Sequence, residues 1–218
     1  MKKLLTLFTL FSLASCVSLY YQRSELKSTS SNIKNGNCYE DSVFKITYNF
    51  WSVGGVLKFD LYNKLNVPVY IDWLRSNFIL NGKSVTYDIA YMNEAVPGSV
   101  PILLKQASGK EYYVSLGRDN KMAEQLPPHS YITVAKFHLN MPYYNIGYYP
   151  KTQDSTIYSY DNSILHFRNY IGYTTNQDMS DLKFIDNEFW LEKVFTINSR
   201  YFNENAVIPY AFYASYER

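Results

Sequence analysis

The chain reads as an all-β protein, an antiparallel sandwich, on three observations. Its 218 residues include 23 Tyr, 13 Phe and 3 Trp, and aromatic side chains, like β-branched ones, fit a pleated, half-buried surface. Apolar residues recur at every second position in several stretches, Leu57, Phe59 and Leu61 being one set and Val69, Ile71 and Trp73 another. That is the period of a strand with one buried face. Turn signals separate these stretches, and the strongest is Asn81-Gly82, because a type I′ turn needs positive φ at both central residues. Roughly eight or nine short strands punctuated in this way predict a sandwich or barrel.

The chain opens with positive charge at Met1-Lys2-Lys3, and an apolar run follows from Leu4 to Leu13. Its length suits a signal-peptide core and falls short of the roughly 20 residues of a membrane span. Two small residues, Ala14 and Ser15, then precede Cys16. Leu13-Ala14-Ser15-Cys16 resembles the lipobox of bacterial lipoproteins. The resemblance implies a diacylglyceryl thioether on Cys16, cleavage before it and acylation of the new amino terminus. One acyl chain holds only marginally at about 0.8 kcal/mol per buried CH₂, so two or three chains make a lasting anchor. From Val17 to about Asn37, Ser, Thr, Asn and Gly with little periodicity read as a flexible tether. The expected organisation is therefore a signal peptide over 1–15, a lipidated tether over 16–37 and one sandwich over 38–218, or a core over 38–140 with an extension over 141–218. No acidic cluster follows Cys16; in some bacteria such clusters steer lipoproteins outward, so a periplasm-facing site in the cell envelope is favoured over the surface.

Strands are expected at Val43 to Trp51, Val56 to Tyr62 and Val69 to Leu80, the last two joined through Asn63 to Pro68. A two-residue loop at Asn81-Gly82 sets Leu80 opposite Lys83 and Phe78 opposite Val85, leading a strand from Val85 to Tyr91. Pro97-Gly98 and Pro101 bar a long helix between Met92 and Gly109, where Ile102-Leu103-Leu104 reads as a short buried piece. A short strand at Tyr112 to Leu116 is followed by one or two helical turns over Asp119 to Leu126. Leu126-Pro127-Pro128-His129-Ser130 forms a rigid lead into the strand Tyr131 to Leu139. Tyr143 to Lys151 is an aromatic loop, and further strands cover Ile164 to Tyr173, Phe189 to Ile197 and Val207 to Tyr216.

The succession Leu61-Tyr62-Asn63, Val67-Pro68-Val69-Tyr70-Ile71, Asn81-Gly82-Lys83 and Leu126-Pro127-Pro128-His129-Ser130 resembles the immunoglobulin-like sandwich of late-embryogenesis-abundant-type domains. In those an Asn closes one strand, a Pro opens the next and a Pro-rich segment leads into a later one. Phe167-Arg168-Asn169-Tyr170 and Asn187-Glu188-Phe189-Trp190, taken with the leader, are similar to uncharacterised small bacterial lipoproteins. The first resemblance implies an immunoglobulin-like fold with extra C-terminal strands; the second implies no activity.

Composition narrows the function classes. Removal of residues 1–15 leaves 203 residues, with 19 basic against 19 acidic side chains once Lys2 and Lys3 are gone. A neutral chain lacks the basic surplus of a nucleic-acid footprint. With Cys16 lipidated, Cys38 stands unpaired and reads as a small buried residue at the first strand.

Chemical motifs are sparse. Neither Gly-x-Ser-x-Gly nor Ser-x-x-Lys occurs, and His129, His138 and His166 lack metal-ligand spacing. No metal or other cofactor is expected. His166 and Arg168, two apart, share a strand face; an anion site is weighed there against a plain solvent face opposite Leu165, Phe167 and Asn169. Asp181, Asp186 and Glu188 lie close in sequence, yet acids near turns are usually solvated, so catalysis is not expected of them. Tyr143, Tyr144, Tyr148 and Tyr149 surround Gly147 in a loop and offer a stacking platform for sugar rings or a partner protein, since Tyr supplies large area with a polar tip. Some of those rings folding into the core is the plainer reading.

These readings converge on a lipid-anchored envelope protein that is not an enzyme and that binds or scaffolds envelope proteins or glycans, with the membrane as its partner through the N-terminal lipid and nucleic acid excluded. Alternatives are a pilus or adhesin subunit assembling by strand exchange and a glycan-binding or glycan-active surface lipoprotein.

Overall fold

The computed structural model describes residues 19–87, 103–105, 111–113, 123–139 and 155–217. The chain forms β1 (Leu19–Ser28), β2 (Ile33–Lys34), β3 (Cys38–Glu40), β4 (Phe44–Tyr48) and β5 (Val56–Asn63). It continues through β6 (Val69–Leu80), β7 (Lys83–Thr86), β8 (Leu103–Lys105), β9 (Glu111–Tyr113), β10 (Glu124–Leu126) and β11 (Tyr131–His138). β12 (Ser155–Ile157), β13 (His166–Thr174), β14 (Lys183–Asn198) and β15 (Ala211–Glu217) complete the order.

The strands build an all-β antiparallel sandwich. The larger sheet runs β10-β6-β13-β14-β1-β15, with β7 beside β6 and β12 beside β14. The smaller runs β11-β5-β4-β3-β2, and β8 pairs with β9. Between the two sheets lies one aromatic core, because the inward positions of each strand alternate with polar outward ones. Phe44, Tyr48, Phe50 and Phe59 from the smaller-sheet side and Phe167 and Phe189 from the larger are almost fully buried. Their rings meet edge to face across the gap, Phe50 to Phe189 at 5.2 Å and Tyr48 to Phe189 at 4.9 Å. Such pairs contribute about 0.5–1.5 kcal/mol each beyond the area they bury.

The Asn81-Gly82 hairpin folds as its sequence requires. Both residues have positive φ, 47° and 82°, and Leu80 pairs with Lys83 and Phe78 with Val85. Asn63, fully buried at the end of β5, ties three stretches together. Its amide nitrogen donates to the carbonyls of Val67, Leu126 and Pro127, and its oxygen accepts from the Leu65 N–H. The Pro-rich lead into β11 is thereby fixed to the lead into β6.

Several expectations are corrected. The stretch after Cys16 is no tether from residue 19 on: β1 lies inside the larger sheet, hydrogen-bonded to β14 on one side and β15 on the other. Its composition misleads because a strand flanked on both edges draws its stability from the ladder, and Ser24 and Leu26 still turn inward. The expected helix ending at Leu126 is strand at Glu124–Leu126, paired with Val69–Ile71 of β6. The strands from residue 155 on do not extend a finished core. β13 pairs with β6 on one side and β14 on the other, so these strands make the middle of the larger sheet. Cys38 is half-buried on β3 and free.

Candidate functional site

β13 alternates from His166 to Ile171 and β14 from Phe184 to Phe189, and this alternation builds the site. Leu165, Phe167, Asn169 and Ile171 face the core, as do Ile185, Asn187, Phe189 and Leu191. Their neighbours His166, Arg168 and Tyr170 on β13 and Phe184, Asp186, Glu188 and Trp190 on β14 therefore share the outer face of the larger sheet, where Trp190 is itself buried. Register sets His166 opposite Trp190, Arg168 opposite Glu188 and Tyr170 opposite Asp186.

A polar strip lies between two aromatic ends. At one end Tyr170 and Phe184 stack at 4.8 Å with 12° between their planes. In the middle Arg168 reaches diagonally and clasps Asp186 with two hydrogen bonds, one from Nε at 3.0 Å and one from Nη2. Glu188 accepts from the Tyr160 hydroxyl at 2.9 Å and from the Thr29 hydroxyl at 3.1 Å, one bond to each oxygen. At the other end the Tyr160 ring meets His166 edge-on at 4.8 Å and Trp190 at 6.2 Å. Beyond it Lys27 donates to Glu192 at 2.6 Å and lies over the Trp190 ring.

The electrostatics follow from this pairing. The Asp186 carboxylate beside Arg168 holds the guanidinium proton more tightly than usual, and the hydrogen bond to Glu188 raises the Tyr160 phenol above its ordinary range. The Arg168 and Asp186 side chains are 41% and 38% exposed, so their bond shapes the strip and adds at most about 1 kcal/mol of stability. General acid–base work needs a group able to give or take a proton at a substrate. Here the acids are already engaged: Asp186 with a cation, Glu188 with two hydroxyls.

Sequence-based expectations meet this geometry unevenly. The solvent-face reading of His166 and Arg168 holds, with Leu165, Phe167 and Asn169 buried behind them. Arg168 does not stand open for an anion, since Asp186 occupies it. Asp186 and Glu188 are not near a turn; both lie within the sixteen-residue β14. Asp181 stays in the turn before it, accepting from Asn176 at 3.4 Å. His129 bonds Asn66, and His138 is an exposed residue at the end of β11. Among the described residues no group of three His, Cys, Asp or Glu is placed to hold a metal ion. Cys16 and Tyr143, Tyr144, Tyr148 and Tyr149 lie outside the described residues.

Tyr160, Tyr170, Phe184 and Trp190 escaped the sequence reading. The signal was present in the alternation of Phe184, Asp186, Glu188 and Trp190 against Ile185, Asn187, Phe189 and Leu191, which places both acids on one face with two rings. Among the described residues, no helix is long and apolar enough to cross a membrane. Comparison of the chain with protein-family models, with curated proteins and with solved structures finds no match.

Proposed function

We propose that this chain is a lipid-anchored protein of the bacterial cell envelope that acts as a non-catalytic binding module, and that the outer face of β13 and β14 is its binding surface. One observation carries the reading. Asp186 is paired with Arg168 and Glu188 with two hydroxyls, while rings stand at both ends, Tyr170 stacked on Phe184 at one and Tyr160, 40% exposed, edge-on over the buried Trp190 at the other. A surface of this kind recognises by ring stacking and hydrogen bonding, not by proton transfer, and it suits the flat apolar faces and hydroxyl edges of a glycan. Leu13-Ala14-Ser15-Cys16 supports the anchor.

The test uses the full chain produced in a bacterial host with labelled fatty acid, then extracted and incubated with isolated cell-wall glycan. Label should enter the protein and disappear in Cys16→Ala. Tyr170→Ala with Phe184→Ala should lower retention on the glycan about tenfold, equivalent to about 1.4 kcal/mol, with the circular dichroism of the fold unchanged. Retention equal to that of the parent protein would remove this face as the binding surface.

A further inference from the structure

A second aromatic cluster sits at the opposite end of the larger sheet's outer face, where β1 begins. Tyr21 stacks on Phe202 at 4.0 Å with 9° between planes. Phe202 meets Tyr213 at 5.0 Å, and Trp51 meets Tyr213 at 4.9 Å and Phe202 at 6.1 Å. The Trp51 indole N–H donates to the Glu204 carbonyl at 2.7 Å, holding its ring in place. All four rings are half-buried, so they belong to the surface and not to the core. Apolar side chains next to them are open to solvent: Tyr201, preceding Phe202, is 78% exposed and Val53 63%. Val53 bridges Tyr213 directly.

These residues come from four separated parts of the chain, and the fold gathers them beside Leu19. Cys16 precedes Leu19 by three residues, a span of at most about 11 Å. Tyr21 lies two residues farther along β1, about 7 Å. We propose that this cluster is the surface on which the domain rests against the lipid bilayer entered by its anchor, with the Trp51 and Tyr201 rings in the headgroup layer. The proposal rests on acylation of Cys16.

The chemistry of the patch fits that occupant. Trp and Tyr gather at membrane interfaces because each ring has an apolar body and a polar tip. The headgroup region is only about 5–8 Å deep on each side of the hydrocarbon, so so short a link from an inserted acyl chain brings the cluster to that layer. With β1 held between β14 and β15, nothing from Leu19 onward can lengthen the link. Because the clustered side chains are uncharged rings, contact through them should not need anionic lipid and should survive high salt.

The experiment takes the acylated full chain, its lipid verified by intact mass, in vesicles of phosphatidylcholine with brominated or ordinary acyl chains. Brominated lipid should lower the tryptophan emission, by at most about a third if the three indoles emit equally, Trp51 being one of them and the others Trp73 on β6 and Trp190 on β14. Trp51→Phe should abolish that loss. Tyr201→Asp and Val53→Asp, both at exposed positions, should reduce it without touching the core, and they keep the test decisive should Trp51→Phe misfold. An acylated protein whose emission is the same in both lipids overturns the inference and leaves the anchor intact. Quenching that persists in a folded Trp51→Phe protein also overturns it, because another indole then faces the bilayer. Absence of lipid on Cys16 overturns both readings.

Discussion

Tyr48 shows at residue scale how polar groups survive in this core. Its hydroxyl, fully buried on β4, accepts from the amide nitrogens of Asn169 on β13 at 3.0 Å and of Asn187 on β14 at 2.8 Å. Tyr87 adds a bond to the Asn169 oxygen at 2.7 Å. Asn169 and Asn187 are themselves register partners, so a short polar bridge joins the two sheets at one level of the core. Burial pushes the Tyr48 and Tyr87 phenols up, which keeps both neutral. Removing the hydroxyl strands two buried N–H groups while leaving the ring. Tyr48→Phe should therefore lose about 1–3 kcal/mol, read as a lower urea midpoint with an unchanged slope. A midpoint equal to the parent's would show that the bridge adds nothing to stability. Sequence sets Asn169 on the face opposite His166 and Arg168, but shows neither that Asn187 lies inward nor that one tyrosine from the other sheet serves both.

At element scale, β1 is the decisive strand. It pairs with β14 from Tyr20 to Ser28 and with β15 from Leu19 to Glu25, so its loss would open two ladders and uncover the core beside Leu191 and Phe212. A chain begun at Thr29 should fail to fold, giving no cooperative thermal transition, whereas one begun at Val17 should melt cooperatively. A folded product from the shorter chain would mean that β14 and β15 can close on each other. The Ser- and Thr-rich composition after Cys16 hid this strand, since a central strand can be polar where its neighbours cover it. The hairpin at Asn81-Gly82 is the opposite case. Its positive-φ turn and its alternation specify one local register, and that register forms.

On the scale of the whole molecule, the tyrosines tie stability to pH. Tyr48 and Tyr87 are raised chiefly by desolvation, and Tyr39 likewise, with its hydrogen bond to Asp41 adding to the effect. An unfolded tyrosine ionises near pH 10. A folded value above that means their contribution is complete below about pH 10 and is lost as pH rises toward the folded values. Unfolding should accordingly set in above about pH 10, with tyrosinate absorbance from buried rings appearing in the same transition that abolishes near-ultraviolet circular dichroism. Ionisation of all the tyrosines with the dichroism intact would contradict it. Sequence by itself determined the all-β class, the Asn81-Gly82 register and the inward face of β13, because strand period and turn conformation are local properties of neighbouring residues. Only tertiary structure decided that β1 enters the sheet, that β13 and β14 form its middle, and that Arg168 is claimed by Asp186. The two aromatic clusters belong with these: each joins side chains from separate strands, and pairing across strands depends on which edges meet, which no local pattern encodes.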